Sequence, residues 1–163
     1  MSYPEPRYTN GHGEVSAELR RAGAEPDLVN ANGGGVHYLR TGANSEGLFG
    51  LYRWEMPATP SGPKPHFHRG YAESFYVLTG TVKLYDGENW IDAQPNDYLY
   101  VPPGGIHAFR NESGAPATML ILFAPGAPRE AYFEELADIA KTGRQLSEEE
   151  WADLYARHDQ INL

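Results

Sequence analysis

The chain has 163 residues, of which 40% are hydrophobic and 12% aromatic, so it can form one domain around a single core. Its formal net charge of −9 repels the phosphates of nucleic acids and of anionic membranes, and we exclude both as partners. The absence of cysteine excludes disulfides, thiolate metal ligands and cysteine nucleophiles.

The polar composition of residues 1–30 predicts an N-terminal arm. Within it, residues 15–21 fit either a short edge strand or a helical turn. The first ten residues are polar and proline-rich, without the apolar run of a signal peptide, and no stretch approaches the roughly 18 apolar residues of a membrane helix. We therefore expect a cytoplasmic protein.

A turn-forming cluster at 30–35 is followed by nine short apolar segments, each bounded by Gly, Pro, Asn or Asp. No helical pattern separates them, and Thr79-Gly80 and Asp86-Gly87 are suited to hairpin turns. The predicted strands are 36–40, 48–56, 65–69, 73–78, 81–85, 90–93, 98–101, 106–110 and 117–123. Such a series predicts an all-β fold, a sandwich or a jelly-roll barrel.

Two helices are predicted after the last strand. The first, over 128–140, repeats apolar residues at the spacing of one helical face, and Gly143 acts as its stop signal. Ser147 and Glu150 form a capping box that begins the second helix. We expect this tail to pack on the outside of the barrel. The domain prediction is an arm over 1–30, a barrel over 31–125 and a helical extension over 126–163, all within one domain.

The segment 65–73 carries the first chemical motif. Side chains alternate along a strand, so His66 and His68 face the same side and can bind one metal ion together. Glu73 has the wrong parity for an unbroken strand, and a bend at Arg69-Gly70 is expected to turn it inward.

His107 begins a later strand, after the stiff turn at 102–105, which is expected to return the chain toward the first two histidines. Imidazole nitrogens with one carboxylate suit a divalent transition ion: Ni, Mn, Fe, Co, Cu or Zn. The predicted metal ligands are His66, His68, Glu73 and His107.

Any one of these histidines, taken alone, would be explained as well by an ordinary core or surface role. The combined pattern is more specific, because half of the six histidines of the chain fall on it. The other three, His12, His37 and His158, are expected to be solvated or structural.

Two spacings, His66-x-His68-x4-Glu73-x6-Gly80 and Pro102-x-Gly104-x2-His107-x3-Asn111, resemble the two signature motifs of the cupin family. The likeness is close over 62–111 and extends, through the strand rhythm, from 36 to 123. It implies a double-stranded β-helix with these four ligands inside. Pro60 and Asn96 stand where the family usually has glycine, but neither is a ligand, and asparagine tolerates a left-handed turn.

Strand alternation also predicts an apolar, aromatic cavity beside the metal, which favours a hydrophobic or aromatic substrate. Its expected lining is Tyr52, Trp54, Met56, Phe75, Val77, Phe109, Ile121 and Phe123. Each of these also fits a role as core filler. The basic residues nearest the motif are Lys64, Arg69 and Lys83, so no obvious clamp for a strongly anionic substrate is expected.

The ligand set, the aromatic interior and the helical tail resemble small bacterial cupins related to quercetin dioxygenases. This resemblance implies a dioxygenase acting on an aromatic or enolic molecule with dioxygen, and Glu73 as the catalytic base. Two alternatives stay open: a metal-dependent polyketide-type cyclase or isomerase, and a non-enzymatic cupin that binds a small ligand. Oxygen uptake separates the first alternative from a dioxygenase, and binding without turnover identifies the second.

Small jelly rolls leave sheet edges that can pair with a second copy. We therefore expect a homodimer, with the N-terminal arm and the outward-facing Tyr98 and Tyr100 as candidates for its interface.

Overall fold

The strands are short because turn-forming residues interrupt the chain every few positions. The computed structural model describes residues 2–163, so Met1, the first residue of the predicted arm, lies outside the described part. This part contains eleven strands and two helices. The strands are β1 (Leu28–Val29), β2 (Gly35–Arg40), β3 (Gly50–Met56), β4 (His66–Phe67), β5 (Ala72–Thr79), β6 (Val82–Tyr85), β7 (Trp90–Ala93), β8 (Tyr98–Val101), β9 (Ala108–Arg110), β10 (Ala117–Ala124) and β11 (Ile161–Asn162).

The strands form two larger antiparallel sheets and one separate strand pair. The first sheet has the order β1-β2-β3-β10-β5-β8, the second has the order β7-β6-β9, and β4 pairs with β11. Strand β10 is central in the first sheet, and its alternate residues Ala117, Met119, Ile121 and Phe123 are buried. This is the all-β jelly-roll arrangement that the sequence predicts.

A single core joins the two larger sheets. Its members include Tyr52, Phe75, Met119, Ile121 and Phe123 from the first sheet, with Val82, Leu84 and Phe109 from the second. Burial of each such side chain contributes about 1.5–3 kcal/mol to stability. This packed interior holds β5 and β9 in a fixed relation, which matters because Glu73 lies on β5 and His107 directly precedes β9.

All nine predicted strands are present, with bounds within two residues of expectation. The segment predicted at 65–69 is shortened to β4, because the chain bends at Arg69-Gly70. Strands β1 and β11 were not predicted, since two residues carry no recognisable alternation. The segment 15–21 forms neither a strand nor a helix, and its apolar Val15 and Leu19 are exposed rather than packed on a buried face.

Two turn residues adopt left-handed backbone conformations. Gly80 has φ of 72°, and a Cβ atom there would lie 2.5 Å from the carbonyl oxygen of Pro116, so the position favours glycine for both reasons. Asn96 has φ of 79°, as expected for the residue that replaces a glycine of the family motif.

Two helices, α1 (Arg129–Thr142) and α2 (Glu148–Arg157), follow the barrel. Helix α1 ends at Gly143, whose φ is 67°. The predicted capping box begins α2: the Glu150 N–H donates to the Ser147 hydroxyl at 3.2 Å, and the Ser147 N–H donates to the Glu150 carboxylate at 2.7 Å. Neither helix of the described chain is long and apolar enough to cross a membrane.

The helical extension contacts the barrel through a strand pair, aromatic packing and a hydrogen bond. Strand β11 pairs with β4, which carries His66. Phe133 of α1 packs against Trp54 of β3, with ring centroids 4.8 Å apart, and the Tyr52 hydroxyl donates to the Glu130 carboxylate. The extension therefore packs on the barrel, and its last strand is paired with the strand that carries His66.

Candidate metal centre

Two histidines at β4 face the barrel interior, His66 within the strand and His68 directly after it. His66 and His68 are 3% and 2% exposed, whereas Phe67 between them is only partly buried, which agrees with the predicted alternation. Two backbone hydrogen bonds fix His107 beside this strand: the His66 N–H donates to the His107 carbonyl at 3.0 Å, and the His107 N–H donates to the His66 carbonyl at 2.8 Å. His107 is thus joined directly to the first motif by backbone hydrogen bonds.

The bend after His68 is held by a residue from the C-terminal segment. The Asp159 carboxylate accepts hydrogen bonds from the backbone N–H groups of Arg69 and Gly70, at 2.9 and 2.8 Å. Asp159 itself has φ of 49°, a left-handed conformation that aspartate adopts more readily than most residues. This bend allows Glu73 on β5 to point inward, as predicted.

The four predicted ligands converge. One ligand atom from each of His66, His68, Glu73 and His107 lies within 4.8 Å of the others. The Glu73 Oε2 atom is 3.0 Å from the Nε2 atom of His107 and 3.1 Å from that of His68. All four side chains are at most 5% exposed, so the cluster is shielded from bulk water.

Each imidazole is oriented by a backbone carbonyl group. The Nδ1 atoms of His66, His68 and His107 donate to the carbonyl oxygens of Lys64 at 2.8 Å, Asp159 at 2.5 Å and Gly105 at 3.0 Å. Because a carbonyl oxygen can only accept, each Nδ1 carries a proton, and Nε2 is the nitrogen that each ring can offer to a metal ion.

This donor set fits a metal ion. Three imidazole lone pairs and a carboxylate that face one point repel one another unless a cation lies between them. The His68 Nε2 atom is buried and makes no hydrogen bond, although it lies near Glu73. Nitrogen and carboxylate ligands suit Mn, Fe, Co, Ni, Cu or Zn, and the choice among these depends on availability and geometry more than on ligand type.

The protonation states also suit metal ligands. Burial, together with nearby His107, lowers the pKa of His66 to about 3. Burial alone would raise the pKa of the Glu73 carboxyl, but the imidazoles of His107 and His68 beside it outweigh burial and hold this pKa well below its usual range. Burial would lower the pKa of His107, yet the neighbouring Glu73 carboxylate raises it overall. His66 is therefore neutral and Glu73 ionised at neutral pH, as metal binding requires.

A cavity of about 410 Å³ adjoins the ligands. His66 and Glu73 lie in its wall, together with Trp54 and Phe109 of the barrel. Much of the remaining wall comes from the helical extension, through Tyr132, Phe133, Leu136, Trp151 and Tyr155. The size and the aromatic lining suit a small, largely apolar molecule.

The eight residues predicted to line the cavity divide into two groups. Trp54 and Phe109 do line it. The other six are at most 2% exposed and belong to the packed core between the sheets: Tyr52, Met56, Phe75, Val77, Ile121 and Phe123. Strand alternation identifies inward-facing residues, but it does not distinguish those that face a cavity from those that face another side chain.

The cavity wall also contains a buried cation that sequence reasoning missed. Arg129, the first residue of α1, lines the cavity and is 4% exposed. It is a basic group beside the centre in addition to Lys64, Arg69 and Lys83, the basic residues that lie near the motif in the sequence. In the sequence Arg129 is one charged residue at the start of a helix, and no local pattern could identify it as buried.

The three histidines outside the motif occupy other places. His12 is exposed, and His158 is partly buried beside Glu135, with its Nε2 atom 3.1 Å from the carboxylate. His37 is buried on β2, where it contacts Glu55 at 3.0 Å and Arg53 at 2.8 Å. These are the solvated or structural environments that the sequence predicts.

We expect Asp159→Ala to weaken metal binding by about 10–100-fold, the usual effect of losing a group that orients a ligand. The variant removes the carboxylate that holds the bend at Arg69-Gly70 and loosens the backbone whose carbonyl orients His68. Titration of the metal-free protein against a chromogenic chelator measures the affinity. Asp153→Ala is the matched control, because the Asp153 carboxylate pairs with Arg157 on the helix surface. Equal affinities in the two variants would contradict this role of Asp159.

Comparison with known proteins identifies a region of similarity that contains all four ligands. A family model described as a cupin domain matches residues 52–123. A quercetin 2,3-dioxygenase from Bacillus subtilis is 29% identical over 100 residues, which are 58% of this chain and 27% of that protein. An uncharacterized protein from Aquifex aeolicus is 34% identical over 62 residues, 37% of this chain and 50% of that protein. The chain thus matches about a quarter and a half of the lengths of these relatives.

The fold has solved counterparts as well. A structure titled a predicted oxalate decarboxylase, from Thermotoga maritima, has a TM-score of 0.58 and 19% identity, covering 67% of this chain and 99% of that one. At this identity the likeness concerns the fold alone. Arg129 and Asp159 lie outside the region that the family model matches.

Proposed function

The chain carries a cupin domain, and on that premise we propose that it is a metal-dependent dioxygenase that acts on a hydrophobic aromatic or enolic small molecule. The observation that supports this most is the convergence of three imidazoles and the Glu73 carboxylate at the wall of an aromatic cavity. The similarity to a quercetin 2,3-dioxygenase supports dioxygenation as the reaction. This similarity extends over about a quarter of that protein's length.

The ion would be held by His66, His68, Glu73 and His107. When bound, it supplies Lewis acidity to an enol or phenol oxygen of the substrate and, if redox-active, electrons for the reaction with dioxygen. The protein supplies the remaining contributions, which are proton transfer, orientation of the substrate and exclusion of water.

Glu73 is suited to proton transfer. Its carboxylate lies in the cavity wall, so it can accept the proton of a substrate hydroxyl that enters beside it. Loss of that proton leaves an electron-rich enolate, whose carbon reacts with dioxygen. Dioxygen is the oxidant, and both of its atoms enter the product.

Aromatic side chains in the cavity suit a planar substrate. Trp54 meets Phe109 and Phe133 edge-on, with ring centroids 5.9 and 4.8 Å apart. Such rigid rings offer a large apolar surface to a substrate ring at little entropic cost. Closure by the helical extension limits the access of water that would compete for the reactive intermediate.

Metal loading followed by oxygen measurement tests the proposal. Metal-free protein is loaded in parallel with each candidate ion, its content is measured by elemental analysis, and oxygen uptake is recorded with quercetin and other phenolic and enolic compounds. We expect about one ion per chain and oxygen uptake that depends on it. Product formation without oxygen uptake would indicate a cyclase or isomerase, and binding without turnover a ligand-binding module; either result would contradict the proposal.

We further propose that the protein is a homodimer through the outer face at β8. This strand lies at the edge of the larger sheet, and its Tyr98 and Tyr100 are 60% and 56% exposed. Tyr76, which is paired with Tyr98 across β5 and β8, extends the exposed aromatic surface. An open strand edge beside such a surface favours pairing with a second copy.

Sedimentation velocity at micromolar concentration should therefore give the mass of two chains rather than the 18.1 kDa of one. Tyr98→Glu combined with Tyr100→Glu should give monomers, because two buried charges would oppose the contact. Ile91→Glu, on the exposed face of the smaller sheet, is the matched control and should remain dimeric. A monomeric wild-type protein would contradict the prediction.

A further inference from the structure

The guanidinium of Arg129 is a buried positive charge without a carboxylate partner. It is 4% exposed, and within residues 2–163 it takes part in none of the ion pairs. The adjacent carboxylate, Glu130, is engaged with the Tyr52 hydroxyl instead. An uncompensated charge in a protein interior is costly, so its presence calls for a functional explanation.

The hydrogen bonds of Arg129 do not neutralise its charge. Its two Nη atoms donate to the His158 carbonyl and to the Gln160 side-chain oxygen, both at 3.0 Å, and its Nε atom has no partner. Both acceptors are neutral, so a neutral donor would serve them as well. These bonds instead fix the orientation of the guanidinium, which the faces of Tyr132 and Phe133 support at 4.2 and 5.2 Å from its central carbon.

Arg129 shares a cavity with the metal centre. The same 410 Å³ cavity is lined by His66 and Glu73 and by Arg129 and Gln160. With a divalent ion among the ligands, Glu73 compensates one of its two charges, so the cavity holds two uncompensated positive charges, one at the ion and one at Arg129. The ionised hydroxyl of a substrate would match the first, and Arg129 is left as the second. A negatively charged group on the bound molecule would complete the pairing.

We propose that the substrate of this cavity carries a carboxylate that pairs with Arg129. This inference rests on the proposed function, and it narrows the substrate class from neutral aromatic or enolic molecules to hydroxylated aromatic or enolic carboxylic acids. The hydroxyl would lie at the metal ligands and Glu73, and the carboxylate at Arg129. A single guanidinium in an aromatic wall suits a monovalent carboxylate better than a phosphate, which is usually bound by several donors and cations.

Binding of matched acids and amides to the full-length protein tests this inference. The probes are 4-hydroxybenzoate, 4-hydroxyphenylacetate and 3-(4-hydroxyphenyl)propanoate, each compared with its carboxamide. Trp54 and Trp151 line the cavity, so quenching of tryptophan fluorescence reports binding directly. The titrations use metal-loaded and metal-free protein, which separates pairing with Arg129 from coordination of the carboxylate by the ion.

We expect at least one acid to bind about tenfold or more tightly than its amide, with or without metal, as one charge-assisted hydrogen bond provides. Arg129→Gln should abolish this preference, and Arg129→Lys should retain part of it. Lys141→Gln is the matched control, because its side chain is an exposed cation in the last turn of the same helix and does not line the cavity. It should leave the preference unchanged.

Equal binding of acids and amides to the wild-type protein would overturn the inference, whether or not the variants fold. A preference that survives in Arg129→Gln, or that disappears in Lys141→Gln, would also overturn it. Oxygen uptake is not part of this readout. Failure of the dioxygenase proposal would therefore be recognised separately, as absence of oxygen consumption in a protein that still selects acids through Arg129.

Discussion

His107→Ala is expected to leave the purified protein without bound metal. The substitution removes one of four ligands and leaves Glu73 without the imidazole 3.0 Å from its Oε2 atom. The affinity for the metal ion should fall by more than the ~10–100-fold that is expected when a group that only orients a ligand is lost. The backbone bonds that attach His107 to His66 do not involve the side chain, so the barrel should still form. Elemental analysis after metal loading, with circular dichroism as the test of folding, measures the result.

His37→Ala is the matched control for this experiment. His37 is also a buried histidine of the barrel, 3% exposed, but it contacts Arg53 and Glu55 rather than the centre. If His107→Ala lost metal only through general destabilisation, then His37→Ala should lose it too. We expect His66→Ala to behave like His107→Ala. Full metal occupancy in both His66→Ala and His107→Ala would show that the proposed ligand set is wrong.

Glu73→Gln is expected to reduce oxygen consumption far more than metal content. The amide has nearly the same shape and keeps an oxygen ligand, but it cannot accept a proton at neutral pH. Loss of a general base typically lowers the rate by about 10²–10⁴-fold. The rate of oxygen uptake per bound ion, measured with any compound that is active in the substrate panel, tests this expectation.

A comparison with Glu55→Gln controls for the loss of one negative charge. Glu55 lies on β3, and its carboxylate pairs with His37 and Arg53 rather than with the metal ligands. That variant should keep the wild-type rate per ion. A rate in Glu73→Gln equal to that of the wild type would remove the base from the proposed mechanism while leaving the metal site intact.

Most of the barrel follows from local patterns in the sequence. Alternating apolar residues between turn-formers predicted nine of the eleven strands, because a strand buried on one face must repeat with a period of two. The same rule placed His66 and His68 on one face, and the parity of Glu73 required the bend that the structure shows at Arg69-Gly70. The Ser147 capping box is equally local, since both of its hydrogen bonds join residues three apart.

The contribution of the helical extension was not predictable in this way. The Asp159 carboxylate holds the bend, and its carbonyl orients His68, across 91 positions of the chain. Arg129 is buried only because α1 closes over the barrel and its guanidinium bonds to His158 and Gln160. Neither residue has a neighbour in the sequence that marks it, so only the docking of the extension reveals its role.

The sequence by itself therefore determined the jelly-roll strands, both helices and the four residues that converge on the candidate metal centre. The tertiary structure decided which inward-facing residues line a cavity, and it moved Phe75 and Ile121 into the core while adding Tyr132 and Arg129 to the cavity wall. The physical reason is that periodicity reports which face of a strand or helix is turned away from water. It does not report whether that face meets another side chain or an open space, because this depends on how distant segments pack together.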